Sequence, residues 1–174
     1  ISCRTPYVIL KYAMTADGKI ATYAGKSKWI TSEASRLEVQ RTRKRTAAIM
    51  AGIGTVLADD PMLTCRLDDP GVHTRIICDS SLRIPTDCNI LKTAADIPTV
   101  IATVSDDTEK IKHIEKSGAK VIKTSASEDG RVDLKELMRY LAAELHIDSI
   151  LLEGGSELAY SALKSGIVNK LQVY

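Results

Sequence analysis

Apolar residues along the chain fall in short runs separated by polar stretches whose own apolar residues recur at three- and four-residue spacing. Tyr7 to Met14 is apolar and rich in β-branched and aromatic residues, and it runs into the turn signal Ala16-Asp17-Gly18, which predicts a first strand and its exit loop. Further strands are predicted over Ala47–Ala51, Arg75–Asp79, Pro98–Thr103, Ala119–Ile122 and Ser149–Glu153. Helices are predicted between them. Thr31-Ser32-Glu33 supplies an N-cap and an acidic first turn for a helix over 32–45 whose basic residues gather toward its C-terminal end. A short helical piece is expected at Val56–Ala58, and longer ones over Lys110–Lys116, Leu134–Leu145 and Ser156–Lys164. In the 134–145 segment Leu134, Leu137, Met138 and Leu141 share one face. Alternating strands and helices predict an α/β domain, a mostly parallel central sheet flanked by helices. Asn169–Tyr174 begins one more strand, and a sheet edge left there would need a cover, so C-terminal strands are expected beyond it.

Composition narrows this picture. A chain of 174 residues, 44% apolar and 26% charged, suits one soluble domain with a real core. The net charge of +2, with Lys and Arg spread along the sequence, gives no electrostatic reason to expect nucleic acid or an anionic membrane as partner. Cys3, Cys65, Cys78 and Cys88 form no CxxC pair and stand at no zinc spacing from His73, His113 or His146, so free thiols in a reducing cytoplasm are expected. No apolar run approaches the roughly 20 residues of a membrane span. Phe is absent and Trp29 is the single tryptophan.

Two glycine pairs follow predicted strands, Gly52-Ile53-Gly54-Thr55 and Glu153-Gly154-Gly155-Ser156. Glycine lets a backbone approach a phosphate closely, and a helix starting at Ser156 would aim its free N–H groups at one. Tight turns alone would also explain them. Arg43 and Arg66 offer planar guanidinium forks suited to an anion, or serve as a solvated helix face and a loop charge. Glu153 stands at a strand end, where it either handles a proton or satisfies the amides of the following turn. Lys11 lies inside an apolar strand, where a charge is costly unless it reaches a partner or a cleft. Asp59-Asp60-Pro61 is a turn with no third hard ligand nearby, so no metal is expected. The three histidines have no nucleophile-elbow context, which disfavours hydrolase chemistry. Patterning thus leads to an α/β domain for a phosphate-rich ligand.

The stretches Ala13-Met14-Thr15-Ala16-Asp17-Gly18-Lys19-Ile20-Ala21, Gly25-Lys26-Ser27-Lys28-Trp29-Ile30-Thr31-Ser32 and Gly52 through Thr64, with Arg75–Ser80 and Leu151–Gly155, closely resemble the reductase domain of the bacterial bifunctional riboflavin proteins of the RibD family. The resemblance implies a dihydrofolate-reductase-like fold, NADPH as hydride donor, and reduction of the ribose of 5-amino-6-(5-phosphoribosylamino)uracil to a ribityl chain. It implies substrate contacts at Ser27, Arg43, Leu63, Arg66 and Glu153. It implies cofactor contacts at Ala13, Trp29, Thr55, Asp59 and Ser80, and along Gly155, Ser156, Glu157, Leu158, Ala159, Tyr160 and Ser161. Lys11 and Glu153 are the candidates for proton handling. Gln40, Thr42 and Ala16 depart from the residues common in that family.

The His-Ala-Glu and Pro-Cys-x-x-Cys motifs of the family's zinc deaminase half are absent, so a reductase domain over 7–174 is expected, with 1–6 as a linker remnant, tethered to a deaminase in a full-length protein or standing alone. Family members commonly form homodimers. The competing readings are the archaeal and fungal reductase of the non-deaminated 2,5-diamino-6-ribosylamino-pyrimidinone phosphate, a true dihydrofolate reductase whose early motifs are not evident, and a non-catalytic nucleotide-binding or assembly module.

Overall fold

The computed structural model describes residues 5–15, 17–20 and 31–174. In chain order the elements are β1 (Tyr7–Tyr12), α1 (Glu33–Arg45), β2 (Ala48–Gly52), α2 (Ile53–Asp59), β3 (Thr74–Cys78), α3 (Asn89–Lys92), β4 (Thr99–Thr103), α4 (Thr108–Lys116), β5 (Lys120–Lys123), α5 (Leu134–Glu144), β6 (Ser149–Glu153), α6 (Ser156–Ser165) and β7 (Lys170–Val173). One seven-stranded sheet has the order β5-β4-β3-β2-β6-β1-β7. Every pairing between these strands is parallel.

Burial on both faces explains why the central strands β2, β4 and β6 read as near-continuous apolar runs. Neighbouring residues of β2 point to opposite cores: Ala48 and Met50 join one, Ile49 and Ala51 the other. The first core also takes Val8 and Leu10, the predicted α5 face of Leu134, Leu137, Met138 and Leu141, and Leu158 and Ala162 of α6. The second takes Ile53 and Val56 of α2, Ile90 and Leu91 of α3, and Ile114 of α4. Caps set the helix starts: the Ser32 hydroxyl accepts from the Ser35 amide, Asp107 from Lys110, and Asp133 from Lys135 and Glu136.

Two local features differ from the patterning. The helix after β2 begins at Ile53 and runs to Asp59, so Gly54 lies within its first turn rather than before it. The four-residue α3 has no periodic signal and is held from outside: the Asn89 amide donates to Asp60 Oδ1 at 2.8 Å. This gives the Asp59-Asp60-Pro61 turn a structural job. Arg75 also braces α3. Although fully buried, it pairs with no carboxylate among the described residues; its guanidinium donates to Thr99 Oγ1 at 2.7 Å, Thr93 Oγ1 at 2.8 Å and the Ile90 carbonyl at 2.9 Å. Burial pushes its pKa down to about 10.

The sheet order locates the crevice. From β2 the chain winds outward through β3, β4 and β5, while β6 inserts between β2 and β1. The helices that follow β2 and β6, α2 and α6, therefore leave to opposite faces, one in each core. The gap between their starts, at the carboxyl ends of β2 and β6, is the switch point at which open α/β sheets bind ligands.

Candidate active site

A polar cluster closes the carboxyl ends of β6, β1 and β7. Glu153, the last residue of β6, is buried, and Arg43 of α1 is buried against it. The two form a bidentate pair, Nε to Oε1 at 2.7 Å and Nη2 to Oε2 at 2.9 Å, while Nη1 donates to the Thr64 carbonyl at 2.6 Å. Such a fork fixes the carboxylate in orientation as well as in charge. Burial opposes the Arg43 charge, but the hydrogen bonds and charge of Glu153 outweigh it and hold its pKa above the ordinary arginine value. Arg43, expected to touch substrate phosphate, thus has all three nitrogens engaged within the protein.

Parallel register sets Lys11 of β1 beside Glu153 on one side and Gln172 of β7 on the other. Lys11 forms no ion pair among the described residues, and its Nζ lies 5.9 Å from the Tyr174 ring centroid. Burial lowers its pKa; the Glu153 charge opposes that shift and the Arg43 charge adds to it. Gln172 donates to Tyr174 Oη at 2.6 Å and to Thr42 Oγ1 at 3.3 Å, and its own Oε1 is buried with no partner among the described residues.

The segment 62–66 forms one wall. Leu63 adopts φ 49°, a left-handed conformation uncommon for a residue with a Cβ, and is buried. Beyond it the Cys65 amide donates to His73 Nε2 at 3.3 Å and the Arg66 amide to Gln40 Oε1 at 2.8 Å. Gln40 and Thr42, the departures in α1, therefore each hold part of the site. The Arg66 side chain is exposed, with no hydrogen bond or ion pair among the described residues.

A cavity of about 500 Å³ occupies the crevice predicted by the strand order. Its walls are Gly52–Gly54 at the start of α2, Ser80, Ser81 and Arg83 after β3, Gly130–Val132 ahead of α5, and Gly155–Leu158 with Ser161 on α6. Gly154 and Gly155 have φ 70° and 78°, and a Cβ on Gly154 would lie 2.8 Å from Thr55 Oγ1. Glycine is required at that turn by backbone angle and by space. A bare backbone turn leading to the free amides of a ten-residue helix is a cradle that suits a phosphate.

Ser80, Gly155, Ser156, Glu157, Leu158 and Ser161 all line this cavity. Ala159 packs against the first core and Tyr160 is 62% exposed, because a helix turns successive residues to different faces and cannot offer the whole 155–161 run to one ligand. Thr55 abuts the Gly154 turn instead of the cavity wall, Asp59 is exposed at the end of α2, and Ala13 is half-buried just past β1. Ser27, Trp29 and Ala16 lie outside the described residues. Patterning missed Arg83, Arg131 and the 130–132 wall. Arg83 follows the Asp79-Ser80 motif closely enough to have been suspected, whereas Arg131 sits in a polar loop with no strand-end signal.

Sheet, switch-point cavity and buried ion pair together define an α/β ligand-binding domain of the dihydrofolate-reductase-like type, as solved relatives agree. Solved structures of Acinetobacter baumannii RibD (form 1) and of a Thermotoga maritima diaminohydroxyphosphoribosylaminopyrimidine deaminase/5-amino-6-(5-phosphoribosylamino)uracil reductase superpose with TM-scores of 0.83 and 0.77, at 29% and 33% identity. The matches cover 99% and 92% of this chain and 46% and 42% of those chains. RibD of Actinobacillus pleuropneumoniae is 53% identical over 174 residues, all of this chain and 46% of that protein. The Methanothermobacter thermautotrophicus 2,5-diamino-6-ribosylamino-4(3H)-pyrimidinone 5′-phosphate reductase is 41% identical over 97% of this chain and 76% of its own length. The RibD C-terminal domain family matches residues 6–174, and the chain belongs to that family. It spans about half the length of the RibD relatives, 46% in the first case.

Proposed function

We propose that this chain reduces the ribose of 5-amino-6-(5-phosphoribosylamino)uracil to the ribityl product, with NADPH as donor. The observation that carries the reading is a buried carboxylate, Glu153, held by Arg43 and set beside Lys11, immediately ahead of the glycine cradle of a cavity large enough for a nucleotide. The residues fit the cofactor: the Gly154-Gly155 turn and the α6 amides would hold its phosphates, and Ser80 and Ser161 would line its path. When bound, the nicotinamide supplies the hydride.

The chain's own groups orient substrate and move protons. Opening the glycosylamine places a proton on the ring oxygen and leaves C1′ doubly bonded to nitrogen; reduction then adds hydride to C1′ and a proton to that nitrogen. Lys11 and Glu153 are the groups at the strand ends able to deliver and hold those protons. The phosphate grip falls to the exposed guanidinium of Arg66, with Arg43 as the group that positions Glu153 and Leu63 as the turn that carries Arg66 into place. In longer proteins of this kind the domain is tethered to a zinc deaminase, and it works as a cytoplasmic homodimer.

Following NADPH absorbance with the deaminated and the non-deaminated phosphorylated pyrimidine tests the reading. Oxidation with the deaminated substrate is expected, and Arg66→Ala should raise its KM by about 10- to 100-fold through loss of a charged hydrogen bond. Turnover of the non-deaminated compound alone would favour the second reading, which the Methanothermobacter relative supports. No turnover with either would leave a binding module.

Lys11 predicts a pH dependence. Its pKa lies below the ordinary lysine value, so if its ammonium delivers a proton, kcat should fall as pH rises through that lowered value. Lys11→Arg should move this alkaline limb upward, since a guanidinium stays protonated. A limb that does not move with the substitution would remove Lys11 from proton delivery.

A further inference from the structure

We infer that His73 is a positioning residue for the substrate phosphate: its neutral ring holds the backbone of the 62–66 wall that carries Arg66, and acid releases that hold. The inference rests on the proposed role of Arg66 as the phosphate grip and adds what keeps that arginine in place.

The wall does not keep its shape unaided. Leu63 sits at φ 49°, a left-handed conformation that persists only where the surroundings impose it. Here they act on the backbone from outside. Arg75 Nη1 donates to the Met62 carbonyl at 3.3 Å and Arg43 Nη1 to the Thr64 carbonyl at 2.6 Å, while the Cys65 amide donates to His73 Nε2 at 3.3 Å and the Arg66 amide to Gln40 Oε1 at 2.8 Å. The Cys65 thiol adds a bond to the Gln40 carbonyl at 3.4 Å. The guanidiniums of Arg43 and Arg75 stay charged through neutral and acid pH, and Gln40 does not titrate. Of these partners His73 alone changes state near neutrality.

Its ring is committed to one protonation state. His73 is 5% exposed, and because Nε2 accepts, its single proton lies on Nδ1, which is buried with no partner among the described residues. A proton added at Nε2 would meet the Cys65 N–H, turning the acceptor into a second donor. The nearby charges oppose that proton as well: Arg43 of α1, itself paired with Glu153 of β6, and Arg75 two residues on are both cations. Lys44 of α1 and Asp69 of the loop before His73 pair with each other at 2.8 Å. Burial lowers the His73 pKa, and the Arg43 charge lowers it further. The hold is therefore complete at neutral pH and is lost as pH falls through a value below the ordinary 6.5.

Imidazole nitrogen NMR joined to pH-dependent kinetics tests this. Nε2 should be unprotonated at neutral pH, and the Cys65 and Arg66 amide resonances should move with the His73 titration. Over the same limb KM for the phosphorylated pyrimidine should rise by about 3- to 10-fold, the worth of one hydrogen bond, with KM for NADPH and kcat not following. His73→Leu, which has no acceptor, should show the raised KM already at neutral pH. His73→Gln, whose amide oxygen replaces Nε2 without titrating, should recover much of the neutral KM and lack the limb. The substrate phosphate titrates at about pH 6, and that contribution is common to all three chains. A proton on Nε2 at neutral pH, or a limb undiminished in His73→Gln, overturns the inference and leaves the proposed reaction standing. Turnover of neither pyrimidine removes the reaction, and the phosphate role of His73 with it.

Discussion

Glu153→Gln is expected to lower kcat for NADPH oxidation by about 10²- to 10⁴-fold, the usual worth of a positioned acid or base. The substitution keeps the shape of the side chain but removes its charge and its second acceptor. Arg43 is then left buried against a neutral amide, with Nε and Nη2 sharing one oxygen where each now has its own. Breaking one side of a buried pair costs on the order of 3–5 kcal/mol, so stability should drop as well as turnover. The two effects can be separated. Arg43→Met/Glu153→Leu replaces the pair by apolar residues of similar volume and should recover much of the stability in urea titration, because no unpaired charge remains. It should not recover turnover. Wild-type turnover in Glu153→Gln would remove the carboxylate from the chemistry and leave it a purely structural partner of Arg43.

The largest effect on stability alone is expected at Arg75. Arg75→Met fills a similar volume but strips partners from Thr99 Oγ1, Thr93 Oγ1 and the carbonyls of Ile90, Met62 and Ile97. The Ile97 and Ile90 carbonyls keep Thr99 Oγ1 and Thr93 Oγ1 as donors at 2.7 and 3.5 Å, so the loss falls mainly on the Met62 carbonyl and the two hydroxyl oxygens, at about 1–3 kcal/mol for each buried acceptor left alone. Relief of burying a charge with no carboxylate, visible in the lowered pKa of Arg75, offsets part of this. The acceptors outnumber the single charge, so a net loss of about 3–5 kcal/mol is expected, near the upper end for one substitution. In a domain of this size that corresponds to a fall in Tm of roughly 6–20 °C. Hydrogen exchange should locate the loosening at α3, whose carbonyl at Ile90 Arg75 holds directly. An unchanged Tm would mean that the hydroxyls and carbonyls find new partners among themselves.

Much of the architecture was legible before folding because its causes are local. Strands buried on both faces must be largely apolar, which is why β2, β4 and β6 stood out as runs. Ser32 could be read as a cap because a cap needs one side chain and a backbone amide a turn away. The glycine pair before α6 was equally visible, since a left-handed turn against Thr55 admits little else. The helix α3 was not, for its stability comes from Asp60 and Arg75, both far along the chain.

The site divides in the same way. Lys11 could be singled out because an ammonium inside an apolar strand conflicts with its neighbours whatever the fold, and Glu153 because a carboxylate at a strand end precedes the glycine turn. That Lys11 and Glu153 are neighbours depends on β6 inserting beside β1, a pairing across most of the chain. The commitment of Arg43 to Glu153 spans 110 positions, and no spacing rule reaches that far. Arg131 became a wall of the cavity because Ser80 grips Val132 at 3.2 Å, across 52 positions. Residue types and their short-range order therefore set the elements and nominated the chemistry, since propensity, capping and burial pattern act over a few residues. Which charges meet, and which remain free to take a ligand, followed from strand order and register, through contacts between segments that no local pattern encodes.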